Sequence, residues 1–287
     1  MLFRIVKIVR SLLNLPLYLV LKFGSFYSTL IKFYDYRNHE VYWEDKLRES
    51  LEKRKSKIIK ISKNKSIQFY TPSTITSYRA KTFFSKEPDT ISWLNNTGHS
   101  GKILYDIGAN IGNYSIYFSK KFNSISYAFE PSFSNLVLLQ KNIVLNKLND
   151  KIILIPNPLY RKSLIANLVQ MRVNDPGFAG TTFKDKKIQK LFLKKNKKNF
   201  FFNTNVLSNS LDELVGNKLL KKPNLIKIDV DGNEVDIIAG AKKLLKNNKI
   251  SLLIEIQKFN FDKVSFILNK LGYKNVSYRR NNYIWEN

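Results

Sequence analysis

The chain has 287 residues, a formal charge of +27 and no cysteine, which excludes disulfides and thiolate metal sites and suits a reducing compartment such as the cytoplasm. With 44% hydrophobic residues it has ample material for one large core. The charge excess favours anionic partners, either nucleic acid or a membrane surface. Lysine, asparagine and isoleucine are also abundant together, however, and a solvated lysine coat accounts for the same excess.

Residues 1–34 contain no acid. Arg4, Lys7 and Arg10 recur at helical spacing beside Leu2, Ile5, Val6 and Val9, and Pro16 kinks the pattern. The uncharged run over residues 11–21 is too short for a bilayer, which takes ~20 residues. Such a helix suits either a seat on an anionic membrane surface or packing on the rest of the chain or a partner chain. No small-residue cleavage site follows it, as a signal peptide would require. Residues 35–65 are strongly charged, and KLRESLEKRKSK reads as an exposed helix or linker. From Ser66 the run IQFYTPSTITSYRAKTFF is β-rich and aromatic, after which Glu87, Pro88 and Asp89 open a helix containing Trp93.

The next stretch organises the chain. Ile103, Leu104, Tyr105 and Ile107 surround Asp106 and lead into Gly108-Ala109-Asn110-Ile111-Gly112, a buried strand breaking into a glycine turn. Tyr114, Ile116, Tyr117 and Phe118 give the following helix an apolar face, and Ile125–Phe129 forms a second strand ending on Glu130-Pro131. Only 11 glycines occur in the chain, yet Gly98, Gly101, Gly108 and Gly112 cluster here, where glycine admits positive φ or the close approach of a ligand. The spacing departs from the G-x-G-x-x-G dinucleotide fingerprint, with Asn113 where a third glycine would serve. A carboxylate at Asp106 would also repel a pyrophosphate, whereas it suits the sulfonium and ammonium of S-adenosylmethionine. In that reading Asp106 balances the positive charge, and backbone N–H groups near Gly112 face the cofactor's carboxylate or ribose. Glu130 takes the two ribose hydroxyls. Taken singly, Asp106 also reads as a turn residue, the glycines as loop shapers and Glu130 as a solvated cap. Their order of strand, glycine loop, helix, strand and acid selects the cofactor reading.

Beyond Pro131, Ser132 or Ser134 caps a helix carrying Leu136, Leu139, Ile143 and Leu145, and residues 151–155 form a third strand. Residues 164–173 read as a strand and NDPGFAG as a turn. Residues 184–203 are a lysine-rich insertion interrupted by Leu191, Phe192 and Phe200, Phe201 and Phe202. That run suits a lid or surface extension touching an anionic glycan or lipid. Stacking on RNA is the other use of such a pattern, but no recognised nucleic-acid module surrounds it. Ser210 and Glu213 form a capping-box signal. The second chemical centre is Leu225-Ile-Lys-Ile-Asp229-Val-Asp231-Gly232-Asn-Glu234, a strand ending at Asp229 and released by Gly232 into a helix with Val235, Ile237 and Ile238. Ligands of open α/β sheets sit beyond the carboxyl ends of the strands, which places Asp229 and Asp231 opposite Glu130. Residues 250–256, with Glu255 near their end, form the adjacent strand. A helix and a β-hairpin turning at residues 279–282 close the chain.

The segments YDIGANIGNYSIYFS, YAFEPSFSNLVLLQKNIVLN, LIKIDVDGNEVDIIAGA and LLIEIQ together resemble the FkbM family of S-adenosylmethionine-dependent methyltransferases. The resemblance runs from about Arg79 to the C-terminus, with KEPDTISWL as its lead-in. It implies the class I methyltransferase (Rossmann-like) α/β fold, a seven-stranded, mostly parallel sheet with helices on both faces. On that basis residues 1–65 are a basic amphipathic helical extension and residues 66–287 the methyltransferase domain. The implied cofactor-binding residues are Asp106, Gly108, Ala109, Asn110, Gly112, Asn113, Tyr114, Glu130, Pro131 and Asn157, the last where related enzymes set a polar group against the adenine. The lead-in would cover one wall of the site, making Tyr78, Arg79 and Thr82 candidate contacts. Arg79 is assigned to the substrate with Asp231 and Glu234.

Methyl transfer is an in-line displacement, so what the protein must add beyond positioning is a base for a poor nucleophile such as a sugar hydroxyl. Neither of the two histidines is well placed: His99 precedes the first strand of the sheet, at its opposite end, and His39 lies in the charged segment. Asp229 or Asp231 is therefore expected to orient or deprotonate the acceptor, with Glu255 assisting. The same three acids are alternatively ligands for Mg²⁺ or Ca²⁺, and Asp231 and Glu234 alternatively cap the helix after Gly232. The acceptor class implied by the resemblance is a sugar hydroxyl of a surface polysaccharide, lipopolysaccharide or glycosylated metabolite. A cytoplasmic enzyme peripheral to the inner membrane face, where such glycans are built on lipid carriers, accords with it. Two rivals stand beside this reading. One is an RNA or protein methyltransferase, which N-methylating enzymes would mark with an Asn-Pro-Pro-Tyr type loop in place of Asp229-Val-Asp-Gly. The other is a non-catalytic basic adaptor retaining the fold.

Overall fold

The computed structural model describes residues 55–171, 177–183 and 201–287, together with Leu19, Lys22, Phe23, Phe26, Lys46, Leu47, Glu49 and Ser50. The chain divides into two compact units, Met1–Lys55 and Ser56–Asn287. Among the described residues no helix is long and apolar enough to cross a membrane. Most of the amphipathic pattern expected over residues 1–34, and of the lysine-rich insertion expected over residues 184–203, lies outside the described residues.

The second unit opens with an antiparallel hairpin of β1 (Ser56–Lys60) and β2 (Ser66–Tyr70). The expected charged linker therefore stops short of residue 65. Ser56 pairs with Tyr70 and Lys60 with Ser66, and Ile59 packs beside Ile67 and Phe69. After β2, where more β-structure was expected, the chain turns into helix α1 (Thr74–Lys81). Ser73 decides this: its Oγ accepts the Thr76 N–H at 3.2 Å while Thr76 Oγ1 accepts the Ser73 N–H at 3.0 Å. That capping box, with threonine in place of the usual acid, outweighs the strand preference of the β-branched residues. Helix α2 (Pro88–Thr97) starts on Pro88, whose missing N–H costs nothing in a first turn.

Strand and helix then alternate through β3 (Ile103–Ile107), α3 (Asn113–Phe122), β4 (Ile125–Phe129), α4 (Phe133–Leu145) and β5 (Ile152–Ile155). Strands β6 (Leu164–Met171), β7 (Thr181–Phe183) and β8 (Phe201–Ser208) make a separate antiparallel sheet in the order β7-β6-β8. The chain continues through α5 (Leu211–Gly216), β9 (Leu225–Ile228), α6 (Glu234–Ala239), α7 (Lys242–Lys246) and β10 (Ser251–Glu255). It ends with α8 (Phe261–Lys270), β11 (Lys274–Arg279) and β12 (Asn282–Glu286). The main sheet has seven strands in the order β11-β12-β10-β9-β3-β4-β5. It is parallel except that β12 runs against both its neighbours, as the sequence reading expected.

Period-two alternation divides the core between the two faces of this sheet. Tyr105 and Ile107 of β3, Ile226 and Ile228 of β9, and Leu252 and Ile254 of β10 pack with α5 to α8. The residues between them face α2, α3 and α4, where Leu104, Leu225 and Leu253 meet Trp93, Ile116 and Leu139. Asp106 and Lys227 share this second face and stand opposite each other in the β3–β9 register. Two charged residues thus occupy core positions of adjacent strands.

Gly108 joins the two central strands. Its φ is +80°, and a Cβ there would lie 1.9 Å from the carbonyl oxygen of Asp229. The approach of one backbone to another by itself requires glycine here. Gly112, at φ +89°, is likewise closed off, because its missing Cβ would meet Leu139 at 2.4 Å. Gly108→Ala is expected to destabilise the fold by ~2 kcal/mol or more, combining left-handed strain with overlap against Asp229. A fall in the urea midpoint at unchanged m-value checks this.

Candidate functional site

At the carboxyl ends of β3, β4, β9 and β10 the chain encloses a cavity of about 200 Å³. Glu130, Asp229, Asp231 and Glu255 line it, together with Gly108, Asn110, Pro131, Arg79, Lys86, Asn135 and the segment from Phe178 to Thr181. A smaller apolar slot adjoins it, sharing Gly108, Pro131, Thr181 and Val230. Ile107, Phe129, Leu159, Leu168, Phe183 and Ile237 wall this slot, and Asn157 stands at it. The topology explains the location: parallel strands that diverge at a switch point leave a crevice beyond their carboxyl ends.

Glu130 follows β4 and is 4% exposed. Its Oε2 accepts the Asn110 N–H at 2.7 Å and its Oε1 the Ser132 N–H at 2.8 Å. Burial pushes its pKa up to about 7 against those hydrogen bonds. The Asn135 side chain adds a third donor, and the acceptor capacity left free faces the cavity. Asn110 fits its place because asparagine tolerates the left-handed region, and its φ is 53°.

Asp229 follows β9 and opens on the cavity, with its side chain 32% exposed against 2% for Lys227 beneath it. The Lys227 ammonium donates to Asp229 Oδ2 at 2.8 Å and lies 4.9 Å from the centre of the Tyr114 ring. Burial works to raise the Asp229 pKa, but Lys227 outweighs it and holds the group at about 2. Burial alone would lower the ammonium's own pKa; Asp229, then Asp106 and Glu87, keep it raised instead. Glu255 ends β10, beside Asp229. The Asp229 charge, then burial, pushes Glu255 up to about 8, so the two carboxyls share one proton at neutral pH.

The remaining predicted residues divide into those that face the cavity and those that hold its frame. Asp231 lines it, but Oδ2 accepts the N–H groups of Gly180 at 2.7 Å and Thr181 at 3.2 Å, which ties the 178–181 segment across the site. Arg79 also lines it, with Nε donating to the Gly177 carbonyl at 2.6 Å. Asp106, by contrast, is absent from the cavity wall. It is fully buried below it, where Oδ2 accepts both the N–H and the hydroxyl of Ser115, at 3.0 and 2.6 Å. Because its side chain points toward α3 while Glu130 lies past the end of its strand, the two acids do not flank one cationic seat.

Ala109, Gly112, Asn113 and Tyr114 are likewise outside both hollows. Tyr114 instead donates its hydroxyl to Glu87 Oε2 at 2.6 Å. Glu234 is also internal: Oε1 accepts the Gly232 N–H at 3.1 Å and Oε2 the Asn260 amide at 2.6 Å, so it braces the turn before α6. Tyr78 is 57% exposed and does not reach the site. No metal cluster forms among the described residues, since Asp229 is engaged by an ammonium and Asp231 by backbone N–H groups. His99 lies at the opposite edge with Lys102 and Asn224, as expected, and His39 falls outside the described residues.

Lys227, Glu87, Lys86 and Asn135 were missed by sequence reasoning. Lys227 left a usable signal: a lone lysine inside an apolar strand, two positions before an aspartate, puts both on one face. The others come from separate elements and left none.

Known structures offer distant likenesses. An FkbM methyltransferase from Methylobacillus flagellatus matches at 15% identity over 66% of this chain and 44% of that one, with a TM-score of 0.44. A precorrin-6Y C5,15-methyltransferase from Geobacter metallireducens matches at 15% identity over 72% and 92%, with a TM-score of 0.43. TrmK from M. capricolum, in complex with the cofactor product S-adenosylhomocysteine, matches at 14% identity over 68% and 65%, with a TM-score of 0.36. No curated protein matches the chain. The family model of the methyltransferase FkbM domain, however, covers residues 106–279, more than half of the sequence and every acid at the cavity wall; the chain belongs to the FkbM family of S-adenosylmethionine-dependent methyltransferases.

Proposed function

We propose that the chain transfers a methyl group from S-adenosylmethionine to a hydroxyl oxygen. The acceptor class is the sugar hydroxyls of a surface polysaccharide, lipopolysaccharide or glycosylated metabolite. The residues present fit the cofactor. The apolar slot with Asn157 suits an adenine, and the residual acceptor capacity of Glu130 suits the ribose diol. When bound, the cofactor supplies an electrophilic methyl whose bond to sulfur breaks toward the sulfur as the acceptor oxygen attacks.

The observation that carries the reading is the carboxyl pair Asp229–Glu255 at the cavity wall. A neutral hydroxyl needs a base, and Glu255, whose pKa the neighbouring Asp229 charge and burial raise, supplies one of suitable strength once it is ionised. Asp231 is committed to the 178–181 segment, so it serves as a positioning residue for the cavity's roof. The four acids around the cavity, Glu130, Asp229, Asp231 and Glu255, disfavour a phosphate-rich acceptor such as RNA. Of the two cations facing them, Lys86 is paired with Glu87 at 2.6 Å. A peripheral seat at the inner membrane face is part of the same proposal, supported by the acid-free basic pattern of residues 1–34.

Four measurements bear on this. Calorimetry with S-adenosylhomocysteine should show Glu130→Ala binding about tenfold or more weaker than the parent, since two hydrogen bonds to a carboxylate are lost; equal affinity removes Glu130 from the cofactor site. Label from methyl-tritiated S-adenosylmethionine should enter a cell-envelope glycan fraction and spare total RNA. With that acceptor Glu255→Gln should lower kcat by about 100-fold or more while S-adenosylhomocysteine binds as before. The full chain should sediment with vesicles rich in anionic lipid and stay in solution with neutral ones, and equal partitioning would count against the membrane seat.

A further inference from the structure

Lys227 is 1% exposed, and few lysines are buried so completely without a partner. Among the described residues, charged and titratable groups face it from five elements. Asp106 stands opposite it on β3, and Asp229, two residues ahead, accepts its proton at 2.8 Å. Tyr114 of α3 lies against it and is bonded to Glu87 at the start of α2. Glu255 approaches from β10, and Lys86, bonded to Glu87, completes the set. The arrangement is asymmetric. Asp229 has an ammonium in hydrogen-bond contact, whereas among the described residues no ammonium or guanidinium is bonded to Glu255. Two carboxyls of the same chemistry at one cavity wall thereby meet unlike environments, which is how such pairs acquire unlike roles.

We propose that Lys227 is a positioning residue for methyl transfer, its buried ammonium fixing Asp229 as the ionised member of the Asp229–Glu255 pair and so leaving Glu255 as the group that takes the acceptor's proton. This rests on the reading of the cavity as a hydroxyl-methylating site. The acceptor O–H bond breaks with its electron pair staying on oxygen, which bonds the methyl carbon, and the proton passes to a Glu255 carboxylate oxygen and from there to solvent. Asp229, still ionised, is an acceptor that orients the hydroxyl. The sign of the pH dependence follows. Glu255 must be ionised to accept, and its pKa is raised to about 8, so the rate climbs through neutral pH and levels above that value.

The test reads Glu255 directly as well as through activity. In the cofactor-free chain, infrared titration with ¹³C-labelled glutamate should show a carboxyl that ionises near pH 8 and is missing in Glu255→Gln. Lys227→Met should shift that ionisation, and the rising limb of kcat against pH, upward by about one pH unit or more, because the pair loses its compensating charge. Lys227→Arg should hold both near their parent positions. A Glu255 that titrates in the ordinary carboxylate range, or one that Lys227→Met leaves unmoved, overturns the proposal. Should Lys227→Met fail to fold, the parent and Glu255→Gln titrations decide alone: no ionisation near pH 8 that Glu255→Gln abolishes, and the proposal fails. A correct titration without S-adenosylhomocysteine binding would instead count against the methyl-transfer reading and leave the role of Lys227 in the pair intact.

Discussion

One ammonium sealed inside the sheet holds this site in shape. Lys227 sits among Asp106, Asp229, Glu87 and Glu255, and its buried charge offsets theirs. Burying an ion pair is rarely a net gain in stability, since desolvation offsets the attraction. Its value here is specificity: the position of the ammonium decides which carboxyl carries charge into the cavity and which keeps a proton. The Tyr114 ring lies against the lysine, and Tyr114 is in turn hydrogen-bonded to Glu87.

The same parsing of acids runs through the whole site. Asp106 gives one carboxylate oxygen to the start of α3, Asp231 gives one to the Gly180 and Thr181 N–H groups, and Glu234 gives both to Gly232 and Asn260 around the turn before α6. Those bonds set the loops whose walls form the cavity. Glu130, Asp229 and Glu255 line the cavity. Frame and chemistry are thus made from one residue type, and the partners each carboxylate meets separate them; the acids at the cavity wall stand at or just past the carboxyl ends of β4, β9 and β10.

Membership of the FkbM family accounts for the cofactor and the fold, and the cavity's own composition bears on the acceptor. An acid-rich pocket beside an apolar slot offers a polyol acceptors for its hydroxyls, and it offers little to a phosphate backbone. The chain's large positive charge therefore lies elsewhere than at the wall where the reaction is proposed to occur. Charge on the surface and charge at the site have different causes, and only the second is tied to chemistry.

The sequence by itself determined the alternation of strand, glycine turn and helix, because these are local patterns with a fixed period, and the seven-stranded, mostly parallel sheet followed from the resemblance its motifs bear to the FkbM family. It also determined that Glu130, Asp229 and Glu255 would meet, since the carboxyl ends of parallel strands share one edge. Tertiary structure decided the rest. The direction of the Asp106 side chain depends on α3 packing over β3, the closure of Gly108 on a carbonyl from a strand more than a hundred residues away, and the capture of Asp231 on a segment that crosses the cavity. Ser73 turned a β-branched run into a helix through a hydrogen bond that composition alone does not reveal. Whether a carboxylate is a ligand or a brace depends on which N–H, hydroxyl or ammonium reaches it first, and these partners come from distant parts of the chain that only folding brings together.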